Sequence, residues 1–145
     1  MQYNEYMTQK YFDWIKILGV IGVGLALFLL WERYFQPAFQ PCNINATVNC
    51  DAVISGSLSN TFGIPTPLIG LIGYLFILYG AFKKNAKLVW GMSAFGLAFC
   101  LYLAYVELFQ LRVICPVCIA CQLDMITVFV LGYFLNKNQL YENTK

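Results

Sequence analysis

The chain has no histidine among its 145 residues. That absence removes the imidazole base, the imidazole proton shuttle and the commonest metal ligand together. Charge is scarce as well. Asp, Glu, Lys and Arg make up 11% of the chain and the net charge is +2, which gives no electrostatic support for a nucleic-acid partner. No internal repeat or low-complexity tract is present, and no small-x-small cleavage site follows the first apolar run, as a secreted leader would require. What remains is a chain that is 60% hydrophobic, too apolar for an ordinary soluble domain of this length. Six cysteines stand in it.

A bilayer core needs about 20 apolar residues of helix. Four stretches qualify: Ile15–Trp31, Ile64–Phe82, Leu88–Phe109 and Cys115–Leu135. Trp14, Tyr34 and Phe35 bracket the first as interfacial aromatics. Pro65 and Pro67 suit the first turn of the second, where a missing N–H costs little. Only Gln110–Ile114 joins the last two, which makes them antiparallel neighbours. The expected fold class is an all-α integral membrane protein, a four-transmembrane-helix bundle with a large extracytoplasmic loop between helices 1 and 2. Residues 1–14 form an N-terminal cytoplasmic segment, 15–135 the membrane domain, and 136–145 a short, loosely ordered cytoplasmic tail.

Orientation follows the basic residues. Lys10, Lys16, Lys83, Lys84, Lys87, Lys137 and Lys145 fall on one side, and Arg33 and Arg112 on the other. Both termini are therefore expected in the cytoplasm. The loop Tyr34–Gly63 and the turn Gln110–Ile114 are expected on the outer face, in a bacterium the outer side of the cytoplasmic membrane.

The cysteines sort with that topology. Cys42 and Cys50 lie in the first outer loop, and Cys115 and Cys118 open the last helix at its outer end. Disulfides persist on that side of a membrane. Cys115-Pro116-Val117-Cys118 starts a helix, so its first thiol feels the positive end of the macrodipole and gains thiolate character. Residues three apart share a helical face, so this pair can bond internally. The plainer alternative is a structural disulfide or two buried thiols. Asn43–Asn49 reads as flexible and polar, and Cys42–Cys50 alone reads equally well as a loop staple. Two dithiols on one side make a relay, because disulfides exchange through mixed intermediates. A metal site at Cys115, Cys118 and Cys121 is disfavoured, since that stripe turns by about 60° per step and does not converge. No metal is expected.

Three segments and the helix start together carry a resemblance. Cys42-x7-Cys50-Asp51-Ala52-Val53, then Phe62-Gly63-Ile64-Pro65 with Gly70, then Tyr105-x-Glu107-Leu108-Phe109, then Cys115-Pro116-Val117-Cys118, resemble the vitamin K epoxide reductase family over about Ile15–Leu135. The resemblance implies a bundle of four helices around a quinone of the ubiquinone, menaquinone or phylloquinone class, capped by the outer loop. It implies a thiol–quinone oxidoreductase that supports disulfide formation. In the relay so implied, a partner dithiol would attack the Cys42–Cys50 disulfide at Cys42; Cys50 would pass electrons to Cys115, and Cys118 would reduce the quinone.

The partner implied is a separate thioredoxin-fold protein, because no such domain is fused here. Membrane lipid is the other surrounding. A vitamin K epoxide or quinone reductase on the same cysteines is the alternative enzyme, and a tetraspan scaffold with static disulfides is the non-enzymatic one. The sequence departs from the family at Gly56, where many relatives carry serine, and at Gln122, where animal members carry tyrosine.

Beyond the cysteines, Asn60, Phe62 and Gln122 are the expected quinone-binding residues. Asn60 matches an asparagine that contacts the quinone in animal relatives; its alternative is a helix cap. Gln122 lies about 340° around the helix from Cys115, beneath the pair, where its amide can reach a quinone carbonyl or merely a neighbouring helix. Asp124, deep in the last span and on its opposite side, reads as a carboxyl hydrogen-bonded to a neighbouring helix, with proton supply to the quinone as the alternative. Glu107 reads as interfacial or paired with Arg112. Cys100 and Cys121 read as small buried side chains.

Overall fold

The computed structural model describes residues 2–35, 38–39, 41–54, 60–61 and 63–144, with the side chains of all but 2–4 and 60–61. The architecture is helical. α1 runs Gln2–Phe35, a short α2 covers Asp51–Ile54, and a two-stranded hairpin pairs β1 (Asn60–Thr61) with β2 (Ile64–Pro65). Then come α3 (Thr66–Phe82), α4 (Ala86–Tyr105) continuing into a π-helix over Val106–Leu111, and α5 (Pro116–Asn143). Three helical stretches are long and apolar enough to cross a membrane: Glu5–Phe35, Ala86–Leu111 and Pro116–Asn143. α3 is apolar but shorter, at 17 residues. These three helices make the chain an integral membrane protein.

The long helices close a ring. α1 packs on α3 and α5, and α4 packs on the same two from the opposite side. Small residues set the approach: a Cβ added at Gly80 would touch Val89, and one at Gly132 would meet the backbone of Trp90. Phe12, Ile15, Tyr74, Ile77, Val89, Met125, Val128 and Leu135 fill one end of the interior. A second, smaller core at the other end gathers Cys42, Cys50, Val53, Val113 and Cys115.

Local chemistry fixes the ends of the elements. Gly63 takes φ +81° in the hairpin turn, a conformation that glycine adopts without strain. Ile64 and Pro65 therefore belong to a strand, and α3 starts at Thr66, with Pro65 as its N-cap and Pro67 in its first turn. Asn85 caps α4, its side chain accepting from the Leu88 N–H at 3.1 Å.

Two expectations about the termini change. α1 begins far ahead of Ile15, supported by Gln9–Asp13 and Lys16–Asp13 side-chain bonds and by burial of Phe12. The tail after Leu135 is helical to Asn143 rather than loosely ordered, and Gln139 ties it to the Lys84 carbonyl at 3.1 Å. The turn before α5 is also shorter than Gln110–Ile114, because Gln110 and Leu111 remain in the π-helix.

Candidate functional site

The site is built on the loop after α1. Asn43–Asn49 proves to be a set of closed turns, not a flexible tract. Asn43 Oδ1 accepts the N–H groups of Cys50 and Asp51 at 3.0 and 3.2 Å. Asn45 Oδ1 accepts those of Thr47 and Val48 at 2.9 and 2.8 Å, and Asn49 Oδ1 accepts that of Ala52 at 3.1 Å. Asparagine favours such local side-chain-to-backbone bonds. The Arg33 guanidinium then binds the Ile54 carbonyl at 2.5 Å, fastening α2 to the end of α1.

This folded loop is stitched to the start of α5. Val48 and Ile114 form a parallel bridge: Ile114 N–H donates to the Thr47 carbonyl at 2.7 Å, and Asn49 N–H to the Ile114 carbonyl at 3.2 Å. The residue after Ile114 is Cys115 and the residue after Asn49 is Cys50. Their sulfurs consequently stand 2.8 Å apart. Cys42 and Cys50 are joined as a disulfide with a Cα–Cα separation of 5.6 Å. The sulfurs of Cys42, Cys50 and Cys115 all lie within 4.8 Å of one another, and all three residues are buried. That trio is dense enough for a metal, but two of its members share a covalent bond and have no thiolate to offer.

Cys115 is the N-cap of α5, and its sulfur accepts the Cys118 N–H at 3.3 Å. Pro116 occupies the first turn, where its missing N–H is no loss. The Cys115 thiol is held below its ordinary range, chiefly by a hydrogen bond from the Cys118 side chain, with the Cys118 and Val117 backbone N–H groups adding to it and burial opposing it. A Cys115 thiolate facing the Cys42–Cys50 disulfide is the arrangement that thiol–disulfide exchange requires.

Beside Cys118 a cavity opens into the middle of the bundle. The walls are almost wholly apolar, with Leu29, Ile69, Phe95, Phe99, Leu103 and Met125 among them. Gly70 and Gly73 of α3 leave it room, since a Cβ on either would meet nothing within 4 Å. Cys118, Cys121, Gln122 and Cys100 bring the polar and sulfur atoms. The lining suits a flat apolar ring with a few placed polar groups.

Of the residues singled out in the sequence, Cys42, Cys50, Cys115 and Cys118 come together, and Gln122 lines the cavity next to Cys118. The Asn60 side chain and Phe62 lie outside the described residues, as does Gly56. Asp124 is buried and faces the Tyr74 hydroxyl, which also donates to the Cys121 carbonyl at 3.4 Å. Cys100 and Cys121 line the cavity instead of filling solid core.

Glu107 departs most from expectation. It does not pair with Arg112 at the surface; it is 5% exposed, and its carboxyl faces the Cys118 thiol and the Cys115 N–H. The wider π turn over Val106–Leu111 changes which face each residue presents. A single acidic residue inside an apolar span is the sequence signal that marks it.

No curated protein matches the chain. A family model described as the vitamin K epoxide reductase family matches residues 13–133, most of the chain, so this membrane protein belongs to the vitamin K epoxide reductase family and is an oxidoreductase.

Proposed function

We propose that the protein is a thiol–quinone oxidoreductase that takes electrons from a thioredoxin-fold dithiol partner and supports disulfide formation. The observation that supports it most is the 2.8 Å contact between the Cys50 and Cys115 sulfurs, with Cys118 next along and lining the cavity. Each transfer is an exchange of bonds. A partner thiolate attacks the Cys42–Cys50 disulfide at Cys42, which releases Cys50 as thiolate. Cys50 then attacks Cys115 of an oxidised Cys115–Cys118 pair, which releases Cys118. The second partner thiol resolves the first mixed disulfide, and Cys42 resolves the Cys50–Cys115 bond. The outcome is an oxidised partner, an oxidised Cys42–Cys50 pair and a reduced Cys115–Cys118 pair.

A quinone bound in the cavity supplies a two-electron, two-proton acceptor for that reduced pair. On this reading Cys118 faces the ring, and the Gln122 amide orients it through a carbonyl. Asn60 and Phe62 are further quinone-binding residues on this reading. Gly70 and Gly73 admit its bulk, while the apolar walls exclude water. Phe39 and Ile44 stand exposed on either side of Cys42, where a partner would dock.

The membrane domain then spans residues 15–135, with α3 as a fourth crossing. Seventeen residues of α3 give about 25 Å of helix, close to the thickness to be crossed. Both termini face the cytoplasm and the cysteine pairs face outward, in a bacterial cytoplasmic membrane.

Purified protein in detergent, given a reduced thioredoxin-fold donor and a short-chain quinone, is expected to reduce the quinone. Cys118→Ala is expected to abolish that turnover. No turnover by the wild type with several quinones and donors, with the cysteines intact, would overturn the reading in favour of static disulfides.

A further inference from the structure

Three buried acids among the described residues, Glu32, Glu107 and Asp124, have no part in the relay, and Glu107 is the one beside Cys118. Glu107 sits where α4 gives way to the π-helix, and its carbonyl accepts the Val113 N–H at 3.1 Å to end that helix. Its carboxyl is enclosed, and Oε1 has no hydrogen-bond partner among the described residues. No cation among the described residues pairs with Glu107. A carboxyl enclosed without a cation is costly. The titratable groups around it are Cys115, Cys118 and Cys121 of α5 and Cys100 of α4. Asp124 faces Cys100 and Cys121 from farther along α5.

The chemistry of the pair needs a base at that place. The Cys118 thiol is directed at the Cys115 sulfur. When the two sulfurs bond to each other, neither can keep a hydrogen. The other acceptor beside Cys118 is the Glu107 carboxyl.

The geometry points to Glu107 as the general base that takes the Cys118 proton whenever the Cys115–Cys118 disulfide forms. The step balances: Cys118–SH and Glu107–COO⁻ become Cys118–S⁻ and Glu107–COOH. Oxidation of the two thiolates then joins the sulfurs and delivers two electrons to the acceptor, while the proton waits on Glu107. This inference rests on the relay reading, but its test does not need a quinone.

The experiment follows formation of the Cys115–Cys118 disulfide in a single turnover, with dithiodipyridine as oxidant, by acid quench, alkylation and mass spectrometry from pH 5 to 9. In the wild type the rate is expected to rise with pH while Glu107 ionises and then to stay level, because the base is fully charged. In Glu107→Gln the level region is expected to vanish, leaving a rate that climbs with hydroxide and is about 100-fold lower at neutral pH. Glu107→Asp, which keeps the carboxyl, is expected to restore a level region at reduced height. A level region retained in Glu107→Gln overturns the inference. Should that variant not fold, a wild-type rate that climbs with hydroxide throughout overturns it equally. Wild-type oxidation by dithiodipyridine but not by any quinone would sink the quinone reading and leave the Glu107 result standing.

Discussion

At the scale of single residues, the site depends on where each sulfur is held. Cys115 combines three features that separate segments supply: a helix start, a thiol neighbour three positions on, and a disulfide brought to 2.8 Å by the bridge at Ile114. Thiolate character and proximity reinforce each other, because exchange needs a charged attacker in line with a bond it can break. Cys42→Ser tests this placement directly. With its resting partner removed, Cys50 is expected to be recovered bonded to Cys115 in most molecules, by mass spectrometry under non-reducing conditions. Recovery of Cys50 as a free thiol would show that the two sulfurs do not meet. The juxtaposed cysteines Cys42, Cys50, Cys115 and Cys118 could be picked out in the sequence because a helix-start Cys-Pro-x-Cys and a loop pair are local patterns. Glu107 was legible only as a lone acid in an apolar span; its place beside Cys118 was not, because no periodicity announces the π-helix it lies in.

At the scale of elements, glycines on the same bundle do opposite work. Gly22 of α1 lies against the ring of Tyr74 on α3, and a Cβ there would overlap that ring. Gly73, on α3 itself, faces open cavity. Gly22→Ala is therefore expected to destabilise the protein by about 1–3 kcal/mol through overpacking, read as a lower thermal midpoint in detergent. Gly73→Leu is expected to keep the midpoint and to raise the quinone KM at least tenfold by filling the cavity. Equal thermal losses in both variants would mean that Gly73 is packed against something and the cavity is not where the acceptor sits. Sequence reading found the helices but misjudged their ends. α1 and α5 extend into polar residues because side-chain bonds such as Gln139 to Lys84, and burial of Phe12, continue to hold them there. Hydropathy registers only the apolar stretch.

At the scale of the whole molecule, the two cores divide the labour. The larger, near Phe12, Ile77, Val128 and Leu135, closes one end of the ring of helices. The smaller is made largely of sulfur and valine and closes the other. Between them the cavity runs from Cys118 into the bundle, so electrons would leave a folded loop outside the helices and arrive among the helices without crossing a water-filled space. The distribution of lysines and arginines predicts which way this faces. A membrane-impermeant maleimide applied to intact cells is expected to label Arg112→Cys and to leave Lys87→Cys unlabelled, with the modified residue located by mass spectrometry. The reverse pattern would put the cysteine pairs in the cytoplasm and remove the oxidising compartment from the argument.

The sequence alone determined what neighbouring residues dictate: apolar runs of spanning length, the proline-assisted start of α5, the sorting of cysteines and basic residues, and the motifs of the family. Tertiary structure decided the rest. Cys50 and Cys115 are 65 positions apart, and their contact exists because two short backbone segments happen to pair at Val48 and Ile114. The cavity belongs to no single helix, because its space is what α1, α3, α4 and α5 leave between them. Periodicity reports which face of a helix is buried; it does not report what that face is buried against, and the chemistry of this site lies in that second fact.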